Sequence, residues 1–178
     1  MLLALLLLPG QAHELQANRL TLVMREPNHV VVAFVLNYIE VLHRVLDPKA
    51  SQQSFVLRYS SMPMPALQAE LVKAQAQLAA ETVLQSANGE MARLSAWAWP
   101  TASRVQALLQ QRAMQLVVAP TDHPSDDLVE IHADAVTTKP IETLRPRLPL
   151  AMMPTLVVSY RPHQSWLAGD KPPVEIRF

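Results

Sequence analysis

Two strand patterns close to the amino terminus constrain the fold more than any other feature of the sequence. Leu20, Leu22 and Met24 alternate with Arg19, Thr21 and Arg25, which is the two-residue period of a half-buried strand. A β-branched run follows over residues 29–36, and only the Glu-Pro-Asn segment 26–28 separates the two. Because so short a connection joins antiparallel strands, the pattern predicts a β-hairpin. It disfavours a doubly wound sheet, whose parallel strands need crossover helices.

Hydrophobic periodicity predicts the remaining elements along the chain. The clearest helix follows the Met-Pro segment 62–65 and is expected to stop at Asn-Gly 88–89, with a buried face of Leu67, Leu71, Ala74 and Leu78. A short helix over residues 39–46 and a helix capped by Thr101 or Ser103 complete the helical elements. The Pro-rich residues 140–154 are expected to form an extended connection. Further strands are predicted at residues 54–59, 91–99, 114–119, 128–136, 155–160 and 174–178.

These elements together predict an α+β fold. Strand pairs without an intervening helix favour an antiparallel β-sandwich of the immunoglobulin type, with two or three inserted helices packed to one side. In the strand at residues 128–136, Glu130, His132 and Asp134 should form a wet face opposite an apolar one. Residues 13–178 have the length of a single domain, long enough to bury a core without disulfides or metals.

The first twelve residues have the pattern of a signal peptide. Residues 1–9 form an apolar run too short for a membrane span, which takes about 20 residues. Gly10 and Ala12 put small residues where signal peptidase requires them, so cleavage would make His13 the first mature residue. No Lys or Arg precedes the apolar run, so either the start codon lies upstream or the positive segment is absent. The pattern predicts a periplasmic or secreted protein.

Composition argues against several classes of function. The chain has no cysteine, which excludes disulfides, thiolate metal sites and cysteine nucleophiles. Fifteen acidic residues balance fifteen basic ones without a basic block, so no nucleic-acid partner is expected. Gly10, Gly89 and Gly169 are too far apart to form a phosphate-binding loop. No second long apolar stretch occurs, so no stable membrane insertion is expected after signal cleavage, and no catalytic motif supports an enzyme.

His13 offers the most distinctive chemistry. As a first residue, it has a free α-amino nitrogen that can chelate one metal ion together with its imidazole Nδ1, and a second histidine would complete a three-nitrogen site suited to copper(II). His132, on the wet strand face, and His29, at the start of the second strand, are the candidate partners. The alternative interpretation is that His13 merely borders a cleavage site and that His29 and His132 are solvated surface residues.

Two further sets of residues are candidate binding sites. Met62 and Met64 alternate with prolines, and their thioethers are soft ligands that select copper(I). The alternative is that these methionines fill irregular gaps in the core. Trp97 and Trp99 lie two residues apart and therefore share a strand face. They would form a binding surface if exposed, and core packing is the alternative.

The mature start resembles a group of small exported bacterial β-domains. The resemblance lies in the His-Glu-Leu-Gln segment 13–16, a strand that ends in Met24-Arg25, and the valine-rich strand after it. Some of these domains have no known function, and others precede the membrane part of HupE/UreJ-type metal permeases. The likeness covers residues 13–46. It implies a periplasmic, sheet-based module with a link to metal handling, and His13 is the single site residue that it carries over.

Two hypotheses follow from the sequence. The leading one is a non-enzymatic periplasmic protein that binds copper through His13. The other is a protein-interaction or assembly-accessory module that contacts another envelope protein through edge strands or through Trp97 and Trp99, without a metal.

Overall fold

Seven strands and four α-helices lie within residues 18–117 and 128–162, the part of the chain that this computed structural model describes. The strands are β1 (Asn18–Glu26), β2 (His29–Asn37), β3 (Val83–Ser86), β4 (Arg93–Ala98), β5 (Leu128–Val136), β6 (Leu144–Arg147) and β7 (Thr155–Tyr160). The helices are α1 (Tyr38–Leu46), α2 (Gln52–Ser60), α3 (Met64–Glu81) and α4 (Ala102–Val117). The predictions for residues 1–12, His13 and residues 118–119 and 174–178 lie outside this part.

Five of the strands form one mixed sheet in the order β4-β5-β2-β1-β7. The predicted hairpin is confirmed, since β1 and β2 pair antiparallel with Arg19 opposite Val35. β5 and β4 continue the sheet antiparallel on one side, whereas β7 lies parallel to β1 on the other. β3 and β6 form a separate two-stranded antiparallel sheet.

The α+β class is confirmed, but this sheet arrangement does not reproduce an immunoglobulin-like sandwich. Such a sandwich stacks two multistranded antiparallel sheets face to face. In the described residues, the second sheet has two short strands and the main sheet includes the parallel β1–β7 pair. Each of the four helices contributes side chains to the core instead.

The core lies on one face of the five-stranded sheet. Strand alternation puts Leu20, Phe34 and Ile131 on this face, and all three are fully buried. The predicted face of α3 is confirmed, because its four apolar residues at helical spacing are buried in the same cluster as the sheet residues: Leu67, Leu71, Ala74 and Leu78. The alternate residues of the strands form the outer face, which is half-buried to exposed over most of its area.

The prediction of a strand at residues 54–59 is wrong, because these residues belong to α2. Ser51 caps this helix by accepting a hydrogen bond from the Ser54 N–H at 3.1 Å. The buried residues are Phe55, Val56 and Tyr59, which is the one-sided spacing of a helix. The apolar residues at 55, 57 and 59 also fit the two-residue period of a strand over so short a window. The burial of Val56 identifies the helix, because residue 56 would lie on the opposite face of a strand from Phe55 and Tyr59.

Two other element boundaries differ from the prediction. α4 is capped by the Thr101 hydroxyl, as predicted, but continues through residues 114–117, where the sequence predicted a strand. α3 ends at Glu81, before the predicted Asn-Gly stop. Gly89 instead adopts a positive φ of 87° in the turn after β3.

The predicted extended connection over residues 140–154 has structure of its own. It contains β6 and a single 3₁₀ turn, Leu150–Met152, before β7 begins. The predicted strands at residues 128–136 and 155–160 are confirmed as β5 and β7. None of the helices within the described residues combines the length and apolar character needed to cross a bilayer.

Candidate functional site

The outer face of the main sheet carries two of the predicted metal ligands. His29 lies at the start of β2, and His132 lies in the middle of β5. The register sets Ala33 opposite His132 and Val136 opposite His29. Alternation along each strand therefore brings both histidines to the same face, together with Glu130 and Asp134. The predicted wet face of β5 is confirmed, since Glu130 and His132 are exposed.

His29 is tied to a neighbouring carboxylate. Its Nε2 lies 2.8 Å from Asp134 Oδ1, and the two side chains are 29% and 39% exposed. This contact crosses from β2 to β5 on the diagonal of the register, because Asp134 stands opposite Val31. One ring nitrogen of His29 is therefore already engaged.

His132 is the more accessible of the two histidines. Its side chain is 50% exposed, and its Nε2 lies 3.4 Å from Glu130 Oε1 on the same strand. A carboxylate at this distance attracts the ring nitrogen without forming a tight hydrogen bond. The other ring nitrogen, Nδ1, has no hydrogen bond to the described residues.

His29 and His132 do not form one metal site with each other. Four positions of β2 separate His29 from Ala33, the residue opposite His132, which corresponds to about 13 Å along the strand. Ligands of one copper ion lie about 2 Å from it, so the two imidazoles cannot share an ion in this register. The described residues contain no group of three His, Cys, Asp or Glu side chains placed around a common point.

Asn18, the first described residue, is fixed at one end of the sheet. Its side-chain oxygen accepts a hydrogen bond from the Asn37 N–H at 2.9 Å. Its amide nitrogen donates to the Met152 carbonyl oxygen at 2.8 Å. The chain therefore enters the sheet at a defined point, five residues after His13, which itself lies outside the described residues.

The predicted methionine ligands take different positions. Met62 is partly buried against the core, and its carbonyl oxygen accepts a hydrogen bond from Gln106 Nε2 at 2.8 Å. Met64, the first residue of α3, is 39% exposed. Met62 thus fills space beside the core, whereas Met64 reaches solvent.

The two predicted binding tryptophans stack on each other against the core. The ring centroids of Trp97 and Trp99 are 4.9 Å apart with an interplanar angle of 8°, and Trp97 also stacks on Phe34 at 5.8 Å. Both side chains are half-buried. The register of β4 against β5 shifts between Ser95 and Ala98, and Ala96 has a positive φ of 52° in this bulge.

Sequence reasoning missed a groove beside β7 that has mainly apolar walls and also includes Glu142 and Arg161. The groove has a volume of about 570 Å³ and lies between the core faces of β1 and β7 and the connection at residues 141–146. Its walls include Leu22, Met24, Ile141 and Val157. These residues come from three distant parts of the chain, so no local pattern could have indicated it.

No protein-family model, curated protein sequence or solved structure matches this chain.

Proposed function

We propose that this chain is an exported, non-enzymatic periplasmic protein that binds copper(II) between a mature amino-terminal His13 and His132. The observation that carries the proposal is the position of His132. It is exposed, its Nδ1 is unoccupied by the described residues, and it lies closer than His29 to Asn18, where the chain enters the sheet.

The reach of residues 13–17 favours His132 over His29. Five residues span at most about 18 Å when fully extended. Thr21, which stands opposite Ala33 and so in line with His132, is about 10 Å along β1 from Asn18. His132 also lies two strands from β1, which is about 10 Å across the sheet. Because these two distances are perpendicular, the direct distance from Asn18 to His132 is roughly 14 Å, within the reach of residues 13–17.

His29 is much farther from the point of entry. It stands opposite Glu26, at the far end of β1, about 26 Å from Asn18. A copper site shared by His13 and His29 would require residues 13–17 to span a distance greater than their fully extended length. It would also require His29 to give up its 2.8 Å contact with Asp134. His132 is therefore the partner in this proposal.

The ligand set suits copper(II). The α-amino nitrogen and Nδ1 of His13 would chelate the ion, and Nδ1 of His132 would supply the third nitrogen of a tetragonal site. Glu130, beside Nε2 of His132, would hold the proton on that nitrogen and so orient the ring.

Isothermal titration of copper(II) tests this site. Protein that begins at His13 is compared with protein carrying one additional alanine before His13, which removes the amino group from the chelate. We expect the extended protein and the His132→Ala variant each to bind at least 100-fold more weakly. The His29→Ala variant is the matched control and should bind as the parent does. Equal binding in the extended and unextended proteins, or no binding by either, would contradict the proposal.

The resemblance of residues 13–46 to exported domains linked to metal permeases supports both export and metal handling.

A module that binds another envelope protein is the second candidate function. The observation that favours it is the apolar surface of β7 on the outer face, where Leu156 is 58%, Val158 36% and Tyr160 54% exposed. Exposed apolar side chains grouped in this way are typical of contact surfaces.

Replacement of Leu156 with Asp tests the second candidate. We expect a partner that copurifies from periplasmic extract at fixed stoichiometry to be lost from Leu156→Asp, because a charge would be buried in the contact. Leu57→Asp, on the exposed side of α2, is the control and should retain it, since Leu57 is similarly exposed at 46%. An unchanged set of copurifying proteins in both variants would argue against this surface.

A further inference from the structure

The groove beside β7 changes from apolar to polar between its base and its rim. Three buried apolar side chains form the base: Leu22, Val30 and Ile141. Exposed polar residues form much of the rim: Glu142, Thr143, Ser159 and Arg161. An amphiphile matches this gradient, because its apolar part gains by leaving water while its polar head stays solvated.

The groove has the size and the access that such a ligand requires. Its volume of about 570 Å³ lies within the range of about 300–1,000 Å³ that is typical of small-molecule sites. Val157, on its wall, is 46% exposed, although Leu20, its partner in the register, is fully buried. Within the described residues, the core face of the sheet is therefore incompletely covered at β7, and an apolar chain could lie against it.

Two opposite charges on the rim indicate the type of headgroup. Glu142 and Arg161 both line the groove, and neither forms an ion pair with another described residue. A guanidinium group binds phosphate oxygens through paired hydrogen bonds, and a carboxylate accepts hydrogen bonds from an ammonium group or attracts its charge. A headgroup with one charge would have one partner and would lie beside a like charge. A zwitterionic headgroup offers a partner to both residues.

We propose that the groove beside β7 binds a single-chain amphiphile with a phosphate–ammonium headgroup, of the lysophospholipid class. The acyl chain would lie on the apolar base, with the phosphate at Arg161 and the ammonium group at Glu142. One acyl chain, rather than two, matches a groove with one apolar base. This inference depends on neither copper nor an envelope partner.

Isothermal titration of dodecylphosphocholine into the full chain, below the critical micelle concentration, tests the groove. Val157→Trp fills the space that the acyl chain would take, so we expect it to bind about tenfold more weakly than the parent. Val158→Trp is the matched control. Val158 is the next residue of β7 and is exposed on the outer face of the sheet, so this variant should bind as the parent does.

Two further ligands test the headgroup. We expect the parent to bind dodecylphosphocholine about tenfold more tightly than dodecyl phosphate or dodecyltrimethylammonium, because each of these leaves one rim charge without a partner. Arg161→Gln and Glu142→Gln should each lose about tenfold in affinity for dodecylphosphocholine. Arg145→Gln is the control, since Arg145 is exposed on β6 and does not line the groove.

The rim variants keep the test decisive if Val157→Trp fails to fold, because substitutions of exposed side chains leave the core intact. Absence of binding by the parent, equal losses in Val157→Trp and Val158→Trp, or equal affinity for the three headgroups would overturn the proposal. Sedimentation velocity supplies a further check. A dimer that Val157→Trp dissociates would also overturn the proposal, because a second copy of the chain would then occupy the groove.

Discussion

Replacement of Phe34 with Ala is expected to lower the free energy of unfolding by about 3–5 kcal/mol. Phe34 lies in β2, the central strand of the main sheet, and is fully buried on its core face. Its ring stacks on Trp97 at 5.8 Å, so truncation removes this contact and leaves a cavity on the core face of the sheet. Since natural domains are stable by about 5–15 kcal/mol, the loss is a large part of the total.

Urea denaturation followed by circular dichroism measures this loss. Val35→Ala is the matched control, because Val35 is the next residue of β2 and lies half-buried on the outer face. We expect it to cost less than about 1.5 kcal/mol, as partial exposure reduces the apolar area that is lost. Equal losses at the two positions would mean that β2 does not present Phe34 to the core.

Tyr38 is expected to make stability fall steeply above pH 10. The side chain is fully buried at the start of α1. Burial raises the pKa of Tyr38 from 10.0 to about 12, and the nearby polar side chain of Gln75 opposes this rise. Within the described residues, Tyr38 Oη makes no hydrogen bond of good geometry. The folded protein therefore holds a neutral phenol where the unfolded chain has already lost the proton.

The sign follows from the protons bound in each state. Between pH 10 and pH 12 the unfolded chain binds fewer protons at this residue than the folded protein, so the free energy of unfolding decreases as pH rises. The contribution is constant well below pH 10, has fallen by about 1.4 kcal/mol at pH 11, and has fallen by about 2.7 kcal/mol well above pH 12. Tyr38→Phe lacks this group and serves as the reference.

Urea unfolding of the parent and of Tyr38→Phe at pH 8, 10 and 11 isolates the effect. We expect the difference between the two proteins to grow by about 1.4 kcal/mol from pH 8 to pH 11, in favour of the variant. At pH 8 the variant should be at least as stable, because it removes a buried hydroxyl without a good partner. A difference that does not change with pH would contradict the burial of the phenol.

Local periodicity predicted the elements whose buried faces repeat over many residues. The nine residues of β5 and the eighteen of α3 contain several cycles of their pattern, so both types were predicted correctly. The prediction for the segment around Phe55 failed because Phe55, Leu57 and Tyr59 alternate as in a strand, whereas Phe55, Val56 and Tyr59 fit one face of a helix. The capping Ser51 was the local signal that distinguishes them.

The candidate site depends on contacts that no local pattern contains. The wet face of β5 followed from alternation, but the separation of His29 from His132 depends on the register between β2 and β5, about one hundred residues apart. The same register creates the contact between His29 and Asp134. The parallel pairing of β7 with β1 joins residues still farther apart in sequence, and the groove exists because of it.

The bulge at Ala96 has a consequence for how copies of this chain can associate. A bulged strand bends and twists more strongly, which makes β4 a poor template for another strand. A fibril that grows through backbone pairing needs two receptive edges on every copy, and among the described strands of this sheet only β7 offers one. Exposure of β7 would therefore lead to a closed pair of molecules, in which growth stops, rather than to an open-ended polymer.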